Sequence, residues 1–110
     1  MSNASLAGRT FHWTFTEGPT KGSTYEHAFA DDGSVGFRKV EDGAPTGDPT
    51  RVIEYASFAV SADVTLVSYL AKESGYTLTM AMNAATGKLY GFASNDKEWY
   101  PVSGTFESVK

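Results

Sequence analysis

Turn-forming residues recur along this chain, and the stretches between them alternate between apolar and polar side chains. Residues 10–16 show the pattern well, because Phe11, Trp13 and Phe15 alternate with polar neighbours in the two-residue period of a half-buried strand. Glycine, proline, asparagine or aspartate ends each run after about ten residues, a spacing typical of a β-meander or barrel. The sequence therefore predicts an all-β protein.

Eight such runs can be assigned, and none has the apolar spacing of a helix. They cover residues 10–16, 23–30, 34–40, 51–60, 64–71, 76–83, 88–94 and 99–107. The best helical candidate is the alanine-rich segment 54–62, which overlaps most of the fourth run. Residues 41–50 contain repeated glycine and proline and are expected to form a long loop at the mouth of the fold.

Short, sequential connections between eight runs favour an antiparallel up-and-down barrel of eight strands. Closure removes the exposed edges of a sheet, and eight strands leave an interior for packed side chains or one small ligand. A sandwich of two sheets is the alternative architecture. In the barrel, Phe11, Trp13 and Phe15 face inward, whereas His12 and Thr14 face outward.

The length and charge of the chain limit its function. A chain of 110 residues has room for one domain, which we expect at residues 8–110, after a disordered tail at residues 1–7. With a net charge of −4 and no basic cluster, binding to nucleic acid or to a membrane surface is not expected. The absence of cysteine excludes disulfides and favours a reducing, cytoplasmic location.

Several stretches resemble the small calycin-like, or lipocalin-like, barrels of the MoaF family, named after molybdenum cofactor biosynthesis protein F. They are residues 8–15 (GRTFHWTF), 25–37 (YEHAFADDGSVGF), 67–79 (VSYLAKESGYTLT) and 83–92 (NAATGKLYGF). The resemblance extends over roughly residues 8–106 and implies the same barrel. It implies no particular reaction, because one fold supports many functions.

The layout also resembles, more distantly, the bacterial phenolic acid decarboxylases. That resemblance implies two first-strand tyrosines, but Trp13 and Phe15 stand at the matching positions. It implies an arginine after the long loop, which Arg51 matches. It also implies a glutamate two residues beyond an aromatic that Tyr69 matches, but the nearest glutamate is displaced to Glu73. Phenolic acid decarboxylation is therefore not expected.

Six side chains are candidates to line a ligand cavity, and one of them, His27, is also the candidate base described below. Arg51 could bind a carboxylate with both ends of its guanidinium, or it could be exposed at a strand end; Arg38 is the substitute if the strand assignment is shifted. The other four could stack on a planar ligand or simply fill the barrel: Trp13, Phe15, Tyr25 and Tyr69.

His27 is the one candidate for a general base near neutral pH. It shares a strand face with Tyr25, so both side chains point inward or neither does. His12 lies on the face opposite to Trp13 and is expected to meet solvent. The two histidines thus lie on opposite faces with no third ligand, so no metal site is predicted.

Three functions remain open from the sequence. The first is the binding of a small, partly aromatic molecule, with or without a carboxylate group, and without a cofactor. The second is a cofactor-independent lyase or isomerase, with His27 as base, Tyr25 or Tyr69 as hydroxyl donor and Arg51 as anchor. The third is an interaction domain that forms a homodimer through exposed aromatics of the last strands, namely Tyr90, Trp99 and Tyr100.

Overall fold

The computed structural model describes residues 6–109, which form one antiparallel sheet of ten strands. The prediction of an all-β protein is confirmed. Within residues 6–109 there is no helix long and apolar enough to cross a membrane. The strands are β1 (Thr10–Glu17), β2 (Thr24–Phe29), β3 (Val35–Glu41), β4 (Ala44–Pro45), β5 (Thr50–Val52), β6 (Tyr55–Ala59), β7 (Val64–Ala71), β8 (Tyr76–Asn83), β9 (Lys88–Ser94) and β10 (Trp99–Ser108).

The sheet is rolled but not closed. Its strand order is β4-β3-β2-β1-β10-β9-β8-β7-β6, and β5 also pairs with β3. Nine flat strands at the usual spacing of about 4.8 Å would put roughly 38 Å between the first and the last. The chain measures only 32 × 29 × 28 Å, so the sheet must curl around its own interior.

The prediction of a closed barrel with eight strands is wrong at two places, the run 51–60 and the segment 41–50. A bend at Ile53 and Glu54 divides this run, so that β5 pairs with β3 and β6 pairs with β7. The two edges of the sheet are therefore linked by the chain itself rather than by a continuous hydrogen-bonded ladder. One backbone bond supports the link, from the Tyr55 amide to the Gly33 carbonyl oxygen at 3.1 Å.

The tenth strand comes from residues 41–50, which the sequence analysis assigned to a loop. Asp42 and Gly43 adopt φ values of 53° and 80° and form a tight hairpin between β3 and β4. Two successive residues with positive φ are typical of the type I′ turn, for which Asp-Gly is a preferred sequence. The signal for this hairpin was thus present in the sequence.

Two of the three glycines within strands lie where the backbones of neighbouring strands approach closely. A Cβ atom at Gly91 would lie 1.8 Å from the carbonyl oxygen of Thr79, and one at Gly104 would lie 2.0 Å from that of Thr14. No other residue fits without moving the backbone, which is the usual reason for glycine at a tight bend of a curled sheet.

The core fills the concave face of the sheet. Phe11, Trp13 and Phe15 are all buried, which confirms their predicted inward direction. Leu6, which the sequence analysis placed in a disordered tail, is also buried in this core; residues 1–5 lie outside the described part of the chain. On the convex face, the Nε2 atom of His12 lies 3.2 Å from a carboxylate oxygen of Glu26.

Candidate functional site

A cavity of about 380 Å³ opens at one end of the rolled sheet. Its walls come from the end of β1, the start of β2, the ends of β7 and β9 and the starts of β8 and β10, with Phe37 of β3 also on the wall. Small apolar side chains, including Ala71 and Ala93, leave the space free. Six aromatic rings line it: Phe15, Tyr25, Phe37, Tyr69, Tyr76 and Tyr100.

A hydrogen-bonded pair crosses the interior beside this cavity. The Nε2 atom of His27 on β2 lies 2.7 Å from the hydroxyl oxygen of Tyr69 on β7. These strands are not neighbours in the sheet, so the pair forms only because the sheet is rolled. The Phe37 ring bridges the same gap, with its centroid 5.9 Å from that of Tyr69.

Aromatic rings surround the imidazole of His27 and exclude water. Trp13 stacks on it with 3.9 Å between ring centroids and an interplanar angle of 22°. Phe37 lies on β3 directly opposite His27, with a centroid distance of 5.7 Å. Only 2% of His27 is exposed. Trp13 itself is fully buried and lies behind His27 rather than on the cavity wall.

Burial keeps both members of the pair uncharged. It lowers the pKa of His27 from 6.5 to about 3, against a smaller opposing effect of the Tyr25 backbone. The pKa of Tyr69 is raised, mainly by burial and also by Tyr25. Nδ1 of His27 is buried and has no hydrogen-bond partner among residues 6–109.

A carboxylate and two phenols meet at the mouth of the cavity. The hydroxyl group of Tyr76 donates a hydrogen bond to the Glu98 carboxylate, and the Tyr100 side chain lies beside the same carboxylate. This hydrogen bond raises the pKa of Tyr76 to about 12, because it stabilises the protonated phenol. The two phenols in turn lower the pKa of Glu98, so the carboxylate is ionised at neutral pH.

The structure brings together four of the six side chains proposed for ligand binding. Phe15, Tyr25, His27 and Tyr69 all line the cavity. Trp13 supports His27 from behind. Phe37 and Tyr76 were missed by the sequence analysis, although each stands on a readable alternating strand. Their position on the wall depends on how the sheet rolls, which strand periodicity alone does not indicate.

Arg51 lies outside this cavity. Its side chain is 61% exposed and pairs with Asp32 at 2.9 Å. Val52 is the buried residue of β5, so the alternation of the strand turns Arg51 outward. The arginine borders a separate surface groove with Lys72 and Glu73.

The other basic candidate, Arg38, also lies away from the cavity. It contacts Glu26 on the convex face, with Nε 3.1 Å from the carboxylate. This is the same carboxylate that His12 approaches. In residues 6–109, no three histidine, aspartate or glutamate side chains are grouped so that they could hold a metal ion.

The aromatics of the last two strands divide between the two faces. Tyr90 and Trp99 are 55% and 67% exposed, as the interaction hypothesis assumed, and Phe92 beside Trp99 is 50% exposed. Tyr100, which was grouped with them, instead points to the cavity. The alternation of β10 explains this, because Tyr100 shares its face with the buried Val102.

Comparison with known proteins identifies the fold but not a family. No protein-family model matches the sequence, and no curated protein matches it. The structure is similar to that of a protein from Burkholderia vietnamiensis whose description reads "putative beta-lactamase", with a TM-score of 0.75. The match covers 99% of this chain and 100% of the other, at 19% sequence identity. At that identity the likeness shows that this chain shares the fold of that protein, and no more.

Proposed function

We propose that this protein binds a small, partly aromatic organic molecule in the cavity at the end of its rolled sheet. The observation that supports the proposal most directly is the cavity itself. Its volume of about 380 Å³ lies within the range of about 300–1,000 Å³ that is usual for ligand sites, and its wall is mostly aromatic. Such rings offer stacking surfaces, and the His27–Tyr69 pair offers a fixed hydrogen-bonding group.

The residues that line the cavity favour a ligand whose buried part carries no negative charge. Among the described lining residues, His27 alone belongs to a basic type, and burial keeps it neutral. Arg51, the anchor expected for a carboxylate, is held by Asp32 on the outside. A buried carboxylate would thus lack a cationic partner, which is costly in an apolar site.

We also propose that the chain is a member of the MoaF-like, calycin-like group of small ligand-binding barrels, and that it acts in the cytoplasm without a cofactor. A rolled antiparallel sheet around a cavity supports the first part. The lack of cysteine supports the second part.

A pair of matched substitutions tests the binding proposal. Ala93→Leu would add bulk to the cavity wall, whereas Ala81→Leu would add the same bulk on the convex face, since Ala81 alternates with the buried Met80 and Met82. Neutral aromatic compounds, screened by thermal shift, should stabilise the wild type and Ala81→Leu but not Ala93→Leu. Equal stabilisation of both variants would place the binding site elsewhere.

A lyase or isomerase is the second candidate, and the contact of His27 with Tyr69 beside the cavity favours it. Against it, a histidine with a pKa of about 3 is a weak base at neutral pH. If a ligand found in the screen is converted, His27→Gln should lower turnover by roughly 10²-fold. Unchanged turnover would exclude His27 as the base.

A further inference from the structure

We propose that the ligand of this cavity is an organic cation, whose apolar body lies among the aromatic rings and whose positively charged nitrogen lies at the mouth, against Glu98 and the rings of Tyr76 and Tyr100. This inference rests on the proposed binding function and specifies the chemical class of the ligand. It depends on three features of the mouth and the wall.

The first feature is a carboxylate that is fixed in place and has free acceptor sites. Glu98 is exposed, yet the Tyr76 hydroxyl donates to its carboxylate, the Tyr100 side chain lies beside it, and the Glu98 backbone is bonded to Asn95. A carboxylate has about four lone-pair sites, so these phenols leave room for an ammonium group. Because the Tyr76 phenol is the donor, the carboxylate retains its negative charge at the rim.

The second feature is the pair of rings beside that carboxylate. The rings of Tyr76 and Tyr100 are 6.3 Å apart between centroids and both line the cavity. A cation within about 6 Å of such a ring is attracted by its electron-rich face. A phenol that donates a hydrogen bond to an anion becomes richer in electron density, which strengthens this attraction. The mouth therefore combines two aromatic faces with one negative charge, an arrangement suited to a quaternary or protonated amine.

The third feature is the lack of any opposing charge on the described wall. No lysine or arginine lines the cavity in residues 6–109, and His27 is neutral. The whole chain carries a net charge of −4, which raises the local concentration of cations around it. An anionic ligand would meet Glu98 at the entrance without a compensating cation.

Three probes with the same phenol separate the effect of charge from that of shape. They are 4-hydroxybenzyltrimethylammonium, its uncharged carbon analogue 4-neopentylphenol, and the anion 4-hydroxyphenylacetate. The first two have nearly equal shape and differ mainly in charge, and the third is a smaller anion. Titration calorimetry on the full chain should show that the cation binds at least tenfold more tightly than the neutral analogue, and that the anion binds most weakly.

Two substitutions show whether the preference comes from the mouth. Glu98→Gln should reduce the preference for the cation to threefold or less while the affinity for 4-neopentylphenol changes less than twofold. Asp63→Asn makes the same change in net charge in the turn between β6 and β7, at the opposite end of the sheet, and should keep the tenfold preference.

The possible results separate this inference from the binding proposal. If the neutral analogue binds as tightly as the cation, or if Asp63→Asn removes the preference as fully as Glu98→Gln, the cation inference is wrong and the binding function stands. If none of the probes binds and Ala93→Leu has no effect on any aromatic ligand, the binding function fails, and the cation inference fails with it.

Discussion

Acidification should destabilise this protein through one buried residue, His27. The pKa of His27 is lowered from 6.5 to about 3 by burial between aromatic rings. Between these two values the unfolded chain binds a proton that the folded protein does not. As far as His27 is concerned, the unfolding free energy is therefore highest above pH 6.5 and decreases as the pH is lowered. The decrease ends only below about pH 3, where His27 is protonated in the folded protein as well.

The size of this effect follows from the shift. Each pH unit within the window costs up to about 1.4 kcal/mol, since one pKa unit corresponds to that free energy. Between pH 7 and pH 5 the unfolding free energy should thus fall by about 2 kcal/mol through His27 alone. That is a large part of the 5–15 kcal/mol, roughly, by which a small domain is stable.

Urea unfolding at pH 7, 6 and 5 measures this loss. The comparison is with the double variant His27→Phe/Tyr69→Phe, which removes both members of the hydrogen-bonded pair, so that neither is left buried without the other. Between pH 7 and pH 5, the unfolding free energy of the double variant should decrease by about 2 kcal/mol less than that of the wild type. His12→Gln serves as a control. Because His27 is intact in this variant, its unfolding free energy should decrease on acidification as much as that of the wild type. Equal losses in the wild type and the double variant would refute a buried, neutral His27.

Three further outcomes follow from the structure. Gly104→Ala should lower the unfolding free energy by about 3 kcal/mol in chemical unfolding, because its Cβ would lie 2.0 Å from a carbonyl oxygen, whereas Gly36→Ala, whose nearest contact would be 3.4 Å, should be tolerated. Arg51→Ala should leave the affinity for any cavity ligand unchanged in calorimetry, since the side chain lies outside; a loss above threefold would contradict its placement. Exposed Phe92 and Trp99 should promote a homodimer in sedimentation experiments, which Trp99→Lys weakens; a wild-type monomer at high concentration would count against this contact.

Strand periodicity predicted much of the fold because it is a local property. The facing of Phe11, Trp13 and Phe15 follows from the two-residue period of any strand, whatever its neighbours are. The same reasoning places Tyr100 on the inner face of β10 and could have removed it from the exposed group. Asp42 and Gly43 likewise form a hairpin that their dipeptide favours.

The run 51–60 shows where local reasoning ends. Its composition is that of one strand, yet each of the two edges of the rolled sheet pairs with a different part of it. A bend at Ile53 and Glu54 allows β5 to pair with β3 at one edge and β6 to pair with β7 at the other. That bend also decides the direction of Arg51, and so the absence of an arginine from the described cavity wall. The outcome depends on the distance between β3 and β7, which pairing along the whole sheet determines.

The candidate site divides in the same way. By itself the sequence determined an acidic, cysteine-free, all-β chain with aromatic residues on the inner faces of its strands. Only the tertiary structure decided which rings became packed core and which became cavity wall. Trp13 and Phe15 are both inward residues of β1, but Trp13 is covered by His27 and Phe15 borders the cavity. The hydrogen bond between His27 and Tyr69 joins residues 42 positions apart on strands that are not neighbours, so it exists only because the sheet curls far enough to bring β2 and β7 face to face.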